Sequence, residues 1–364
     1  MNQLHKRLGT GGVPGRRLTR RSFLGGAMSL LAAGAMPGKA GPRGTDVPAG
    51  GRPIRRRLAN PYLEGGKPIV VVVRGTEFPA MLAKGMTALG GFARFGAGRP
   101  VVVKPNFVFD KITKYPTTTD DLSVLTLVEF LQKEGFRDIT VADRRGKKAN
   151  GRAGGKFEWS GLNDKAAAGG FRTDSLLDNE VAETVLVRDA RWTEMPGYGV
   201  IKTIYDAELI INMPTLKRHP MTNLSCSLKN LMGVLDVPTT ETMHLWLPED
   251  KARHDAMSEE ALNRRLCLAI AEAASAVNPE VTVIDARTVL SRHHLDHVSG
   301  GPLQADRLII SGDPLAAEKV AADILKEVSP QYELGLGKEM LERAAKLGLG
   351  VADPDGIILQ TMDV

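Results

Sequence analysis

The segment from Leu209 to Asp236, "LIINMPTLKRHPMTNLSCSLKNLMGVLD", carries the side chains best suited to chemistry in this sequence. Lys217 and His219 stand two residues apart, and Lys229 and Asn230 follow within "SLKNLMG". Ammonium groups bind carboxylates and phosphates, an imidazole titrates near neutral pH, and an amide both donates and accepts hydrogen bonds. These four residues are therefore candidate catalytic groups that act on a small anion. The alternative is an internal salt-bridge network that fixes the edge of a sheet.

Polar side chains also follow the other apolar runs of the chain. The candidate cofactor-binding residues at these positions are Lys104, Asn106, Asp143, Asp285 and Asp313. In an open parallel sheet, ligands bind beyond the carboxyl ends of the strands, so we expect these side chains to converge on one site. The alternative is an ordinary solvated rim, since strand ends are polar by default.

Six of the seven histidines lie between His219 and His297. The run "RHHLDH" brings His293, His294 and His297 together with Asp296, and imidazole and carboxylate groups suit transition metals. With His219, these three histidines are the candidate metal ligands. A polar loop is the alternative, because adjacent side chains on a strand point to opposite faces. The cofactor is therefore unknown, with a transition metal as one hypothesis.

The chain has two cysteines, Cys226 and Cys267. Two thiolates are too few to ligate an iron–sulfur cluster within this chain alone. In an oxidising compartment they could form one disulfide, and buried free thiols are the alternative.

Strands and helices alternate from Lys67 onward. Runs such as "IVVVVR" and "PVVVKPN" are typical of strands that are buried on both faces. The segment "DDLSVLTLVEFLQKEG" has an Asp cap and ends at Gly135, as a helix does. This alternation predicts an α/β fold with a mostly parallel sheet flanked by helices. The domain is expected over residues 67–364, with 200–215 as a candidate boundary between two lobes.

The formal charge of +6 has a local origin. Residues 1–40 contain seven of the 48 basic residues and no acidic residue, which leaves 41 basic against 42 acidic residues in the rest of the chain. Aromatic residues make up only 5% of the sequence, so base-stacking platforms have little support. Both observations argue against a nucleic-acid partner.

The first 40 residues resemble a bacterial twin-arginine export signal. Arg20 and Arg21 precede "SFL" and a Gly/Ala-rich apolar run that is short for a membrane span, and small residues near Ala40 would support cleavage. Residues 41–66 are rich in Gly, Pro and Arg without periodicity, which predicts a flexible linker. We therefore expect a soluble periplasmic protein whose export partner is the twin-arginine translocase. A basic tail without a targeting role is the alternative.

Several blocks of the sequence occur in the order of the domain-of-unknown-function 362 family, which the chain resembles from about Lys67 to Gly337. The blocks are "VVVKPNF", "PTTTDD", "ITVADRRG", "LIINMPTLKRH", "SLKNLMGVLD", "VIDA" and "SGDPLAAEKVAADIL". Many members are fused to ferredoxin-like iron–sulfur modules, so the resemblance implies redox work with an iron–sulfur partner. The family is also similar in architecture to nickel-dependent lactate racemase-type proteins, which is an analogy of fold. The sequence departs from the family at Glu318, where Asp is common.

Together these features predict an exported enzyme that uses a metal or small cofactor on a small anionic substrate, by acid–base or redox chemistry. Two alternatives stay open. The first is a non-catalytic periplasmic protein that binds an anionic ligand with the same lysines. The second is an electron-transfer partner of an iron–sulfur protein on another chain.

Overall fold

The computed structural model describes residues 50–107, 115–144, 161–176, 183–245, 255–291 and 301–364. Its strands are β1 Leu63–Glu64, β2 Lys67–Arg74, β3 Val101–Pro105, β4 Ile139–Ala142, β5 Arg172–Asp174, β6 Thr184–Val187, β7 Tyr198–Ile201, β8 Leu209–Met213, β9 Thr215–His219, β10 Asn223–Ser225, β11 Val281–Leu290, β12 Pro302–Ser311 and β13 Ile358–Asp363. Its helices are α1 Phe78–Leu89, α2 Asp121–Lys133, α3 Leu162–Gly169, α4 Lys202–Tyr205, α5 Ser227–Asn230, α6 Val237–Leu245, α7 Glu259–Val277, α8 Pro314–Val328 and α9 Leu336–Lys346.

The runs of β-branched residues form the central strands of one large sheet. Every residue of β3 and β8 is buried, and so are the six inner residues of β2. Strands covered on both faces need apolar side chains at every position, which explains the absence of alternation in these runs. The predicted α/β class, with a mostly parallel sheet flanked by helices, is confirmed.

The strand order places the ends of β8, β3 and β4 side by side. The order along the sheet is β2-β12-β11-β8-β3-β4-β5, with β13 paired to β2 and β9 continuing beside β11. β3 lies between β8 and β4, and it is parallel to both. The carboxyl ends of these three strands therefore meet at one edge, which we call the carboxyl edge.

In the order from β2 to β5, one strand, β12, runs against the others. β12 is antiparallel to both of its neighbours, β11 and β2. Ser311, at the end of β12, lies opposite Thr282 near the start of β11, so Asp313 emerges at the far edge of the sheet. The expectation that Asp313 converges with the other strand ends is therefore wrong, because a polar residue after an antiparallel strand faces the opposite edge.

Helices cover both faces of the sheet. Alternate residues of β2, Val71 and Val73, join a core with Met81 and Leu82 of α1 and with side chains of α2 and α3. Helix α8 packs on strands β2, β11 and β12. Asp120 caps α2 as the sequence predicts, since it accepts a hydrogen bond from Ser123 N, and Ser258 caps α7 by accepting one from Ala261 N.

The segment before β2 is held against the domain at Arg55. This side chain is 3% exposed, donates to the Ala207 carbonyl oxygen and pairs with Glu280, which is fully buried. Glu280 in turn accepts hydrogen bonds from the backbone N–H groups of Leu58 and Ile210. The part of the predicted linker around Arg55 is therefore fastened to the domain by a buried ion pair. Within the described ranges, no helix is both long and apolar enough to cross a membrane.

Candidate functional site

Three lysine side chains approach one another at the carboxyl edge. Lys104 belongs to β3, Lys217 to β9 and Lys229 to α5. Lys104 and Lys217 are 1% and 2% exposed, and Lys229 is half-buried. We call these three residues the lysine cluster. Burying a charged amine is costly unless a counter-charge or hydrogen bonds compensate, so the partners of each lysine decide what the site can do.

Lys104 has a carboxylate partner. Its Nζ atom lies 2.6 Å from Oδ1 of Asp143 and donates to the Pro105 carbonyl oxygen at 2.7 Å. Asp143 also accepts hydrogen bonds from the backbone N–H groups of Phe107 and Arg144. Burial lowers the pKa of Lys104 and raises that of Asp143, and the contact between the two groups opposes both shifts. This pair is internally neutral and needs no ligand.

Asn230 ties helix α5 to the strand ends. Its Nδ2 atom donates to Oδ1 of Asn212 at 2.7 Å, and its Oδ1 atom lies 3.3 Å from the Lys104 amine. Asn212 in turn donates to the carbonyl and hydroxyl oxygens of Ser227 at the start of the helix. The amide of Asn230 is therefore used to position α5, which carries Lys229. Asn212 was missed as a site residue, although an asparagine inside the apolar run "LIINMP" is the signal that could have identified it.

Lys217 is buried without a carboxylate contact among the described residues. Its Nζ atom donates to the carbonyl oxygen of Thr117 at 2.7 Å. Burial, and to a smaller extent the nearby ammonium of Lys229, lower the pKa of Lys217 to about 7. The Lys217 amine is thus partly neutral at physiological pH, which an exposed lysine is not.

Lys229 also lacks a carboxylate contact within the described part of the chain. Burial lowers its pKa to about 8, while the Cys267 sulfur opposes the shift. Asn230 fixes the helix that carries Lys229, so the backbone of Lys229 has a defined position at the strand ends. A small anion would neutralise the charge of the Lys229 ammonium group.

His219 shares the strand face of Lys217. Residues two apart on a strand point to the same side, and both side chains are buried. The backbone N–H of Met221 donates to Nδ1 of His219 at 3.2 Å, so the neutral imidazole carries its proton on Nε2. The Nε2–H group of the neutral ring is therefore a hydrogen-bond donor, on a side chain that lies on the same strand face as Lys217.

The buried threonine run beside Lys217 is a second group that sequence reasoning left out of the site. Thr117, Thr118 and Thr119 are all fully buried. Thr119 accepts from the Asn106 backbone N–H and donates to the Met213 carbonyl oxygen. The Thr117 hydroxyl has no hydrogen-bond partner among the described residues. The backbone carbonyl oxygen of the same residue accepts the hydrogen bond from Lys217. The block "PTTTDD" was the available signal.

Asn106 and Asp285 lie nearby but already have partners. Asn106 donates to the Thr215 hydroxyl at 3.3 Å. Asp285 is fully buried, pairs with Arg287 at 2.8 Å and accepts from the Tyr115 hydroxyl at 3.0 Å. Arg287 borders a cavity of about 240 Å³, but its guanidinium is already neutralised by Asp285. These contacts show Asp285 holding the sheet edge together.

Asp313 caps helix α8 at the far edge of the sheet. Its Oδ1 atom accepts from the backbone N–H groups of Leu315 and Ala316, and its Oδ2 atom accepts from that of Val351. Burial raises its pKa, and these hydrogen bonds oppose the shift. Among the described residues, the hydrogen bonds to this carboxylate come from the helix start and from the segment at Val351.

Glu318, the position at which the sequence differs from many members of the family, contacts the helix that carries Lys229. It is fully buried in α8, and its Oε2 atom accepts from the backbone N–H of Leu228 in α5 at 2.7 Å. Burial raises its pKa and the hydrogen bonds from Leu228 and Ser227 oppose the shift, with a resulting pKa of about 8. Its second oxygen has no partner among the described residues. Glu318 therefore anchors the helix that carries Lys229 and Asn230.

The predicted metal ligands divide into two groups. His219 lies at the carboxyl edge, whereas His293, His294 and His297 fall outside the described residues. In the part of the chain that the structure describes, no three His, Cys, Asp or Glu side chains are grouped so as to hold a metal ion. Cys226 and Cys267 are both buried free thiols.

Comparison with known proteins identifies the family. Residues 101–323 match the model of the family described as "Domain of unknown function (DUF362)", which is more than half of the chain, so the chain belongs to this family. It is 24% identical over 165 residues to the thylakoid-associated protein sll1697 of Synechocystis sp.. That alignment covers 43% of this chain and 46% of the relative, so the chain spans about half of the relative's length.

One solved structure shows a distant likeness. The lactate racemase apoprotein from Thermoanaerobacterium thermosaccharolyticum aligns over 76% of this chain and 62% of its own, with 13% identity and a TM-score of 0.37. A likeness at this level carries no argument about the chemistry of this chain.

Proposed function

We propose that this member of the DUF362 family is an enzyme that binds a small anionic substrate at the carboxyl edge and uses the Lys217 amine as its acid–base group. The observation that carries the proposal is the state of Lys217. This amine is buried, is held by the Thr117 carbonyl and has no carboxylate contact among the described residues. A structural lysine would normally be paired, as Lys104 is with Asp143.

The charges of the cluster favour an anionic ligand. Lys104 is neutralised by Asp143, but Lys217 and Lys229 bring up to two positive charges without a matching carboxylate in the described structure. A ligand carboxylate, sulfate or phosphate would supply this counter-charge. Because the site is shielded from water, such a contact would be stronger than at the surface.

The pKa of Lys217 favours catalysis over simple binding. A general base works best when its pKa lies near the operating pH, and burial brings the Lys217 pKa to about 7. His219 adds a proton donor on the same strand face. A non-catalytic anion-binding protein would use the same lysines but would have no need of His219, so His219→Gln separates the two functions once a reaction is found.

Calorimetric titration with oxalate and with sulfate tests the binding step. We expect the wild-type protein to bind at pH 6.5, and Lys229→Met to weaken binding at least about tenfold, the value of one charge-assisted hydrogen bond. Lys338→Met, which changes a lysine that is 75% exposed on α9, is the matched control and should leave binding unchanged. Equal affinity in wild type and Lys229→Met would contradict the proposal.

A metal at the histidine cluster remains a separate hypothesis. His293, His294 and His297 carry it together with His219, on the chemistry of their side chains alone. Elemental analysis and an absorbance spectrum of the mature protein test it directly. A stoichiometric transition metal that is lost in His293→Ala would support the hypothesis. Metal-free protein, purified after export from a host like its natural one, would contradict it.

We also propose that residues 1–40 direct export to the periplasm by the twin-arginine route. The paired arginines, the short apolar run and the confinement of the excess basic charge to this segment support the proposal. Replacing Arg20 and Arg21 with lysine keeps the charge but removes the motif. Cell fractionation should then find the chain in the cytoplasm, and unchanged periplasmic recovery would contradict this route.

A further inference from the structure

The hydrogen bonding of Lys217 leaves its nitrogen lone pair unused. The amine donates an N–H to the Thr117 carbonyl oxygen, which can only accept. Among the described residues, no carboxylate pairs with this amine and no group donates to it. A neutral Lys217 therefore keeps its lone pair for a ligand, while the 2.7 Å contact with Thr117 fixes the direction of one N–H bond.

From this geometry we propose that Lys217 forms an imine with the ketone carbon of a small 2-oxo acid, whose carboxylate lies against the Lys229 ammonium. The inference rests on the proposed function and names its substrate class. A buried lysine beside a second cationic group is the known arrangement for such a nucleophile, because both surroundings disfavour the protonated amine. The lysine cluster supplies both.

The two functional groups of a 2-oxo acid match the two kinds of group in the cluster. Lys104 is occupied by Asp143, so Lys229 is the ammonium left to bind a carboxylate. The Thr117 hydroxyl is buried without a partner in the described structure and belongs to the residue that holds Lys217. It is therefore a donor available to the ketone oxygen, which lies next to the carbon that Lys217 attacks.

The reaction needs no outside oxidant or reductant. The Lys217 lone pair forms a C–N bond to the ketone carbon, and the π electrons of the C=O bond move to oxygen, which takes up a proton. The nitrogen then loses a proton, and the hydroxyl leaves as water after it accepts a second proton. The nitrogen lone pair closes the C=N bond to give a protonated imine, and release of the last N–H proton gives the neutral imine. His219, with its proton on Nε2, is the group on the same strand face that could give a proton to the leaving hydroxyl.

Borohydride trapping tests the imine on the full-length protein. The protein is incubated with pyruvate, reduced, digested and mapped by mass spectrometry. Reduction converts the imine into a stable secondary amine. We expect one modified lysine, Lys217, with exposed Lys338 in the same sample as an internal control for non-specific reaction. Equal labelling of Lys338 and Lys217 would overturn the inference.

Two further probes make the test specific. Acetone has the ketone without the carboxylate, so Lys229→Met should lower labelling by pyruvate at least about tenfold more than it lowers labelling by acetone, which loses only the effect of Lys229 on the Lys217 amine. Lys217→Arg keeps a positive charge but cannot form an imine, and it should abolish labelling. The peptide map of the wild-type protein locates the adduct by itself, so the inference can still be tested if a variant fails to fold.

Oxalate binding, measured on the same protein, separates this inference from the proposed function. Oxalate is an anion without a ketone. If oxalate binds and Lys217 is not labelled by pyruvate, the imine is wrong and the proposed anion site stands. If neither oxalate binds nor pyruvate labels Lys217, both proposals fall.

Discussion

Lys104 and Asp143 form an ion pair in which the two atoms lie 2.6 Å apart and both side chains are at most 3% exposed. Gly233 closes over the pair, since a Cβ atom there would lie 2.8 Å from Oδ1 of Asp143 and 3.0 Å from Nζ of Lys104. The pair lies near Lys217. Within the pair each charge is neutralised by the other, whereas Lys217 has no carboxylate contact among the described residues.

Breaking the Lys104–Asp143 pair should be strongly destabilising. Lys104→Met leaves a buried carboxylate without its cation, so we expect the free energy of unfolding to fall by about 3–5 kcal/mol. Urea denaturation measures the loss. The double variant Lys104→Met/Asp143→Asn removes both charges and should lose less than the sum of the single variants. Strict additivity would show that the two side chains do not act as a pair.

Anion binding should weaken as the pH rises. The folded pKa values of Lys217 and Lys229 are lowered to about 7 and about 8, so both amines lose their charge between pH 6 and 9. We expect oxalate affinity to fall by about tenfold per pH unit above each pKa, for each amine that must be protonated to bind. Lys217→Arg stays charged at pH 9 and should keep more of its affinity there. A flat pH profile in the wild-type protein would contradict the role of both amines.

Glu318 should make stability fall as pH rises. Its folded pKa is raised from 4.5 to about 8, so between these values the folded protein holds a proton that the unfolded chain has released. The stabilisation is complete below pH 4.5 and is lost as the pH approaches 8, at up to about 1.4 kcal/mol per pH unit. Glu318→Gln keeps a neutral acceptor for the Leu228 N–H and should remove this slope.

The test of Glu318 is the difference in unfolding free energy between wild type and Glu318→Gln, measured by urea denaturation from pH 5 to 7. This window avoids Lys217, whose lowered pKa makes stability rise with pH from about 7 upward. The variant should gain stability relative to wild type as the pH increases. A constant difference across the window would show that Glu318 does not keep its proton in the folded state.

Asp313→Ala should affect stability and not anion binding. The substitution removes the acceptor for two N–H groups at the start of α8 and for Val351 N, so we expect a loss of about 1–2 kcal/mol. Thermal unfolding and oxalate titration on the same sample measure both properties. Lost oxalate affinity with unchanged stability would instead restore the cofactor-binding role expected from the sequence.

The strand ends show how far local sequence could predict the site. The sequence predicts Lys104 and Lys217 because polar groups follow several apolar strands, and Lys229 and Asn230 because they lie inside an apolar helical segment. The structure brings the four residues together. Asp313 looked equivalent along the chain, but the direction of its strand depends on which neighbours it pairs with. Strand direction is a property of the assembled sheet, which residues close in sequence do not determine.

The sequence by itself determined the α/β class, because β-branched runs and capped amphipathic helices alternate at intervals that suit a mostly parallel sheet. It also determined the residue types available for chemistry at the carboxyl edge. Only the tertiary structure decided which of these charges are satisfied. Asp143 reaches Lys104 because β4 lies next to β3, whereas in the described part of the chain the Lys217 amine donates to a carbonyl oxygen and contacts no carboxylate. Burial and the identity of a partner arise from packing between distant segments, and those two factors set the pKa of a lysine.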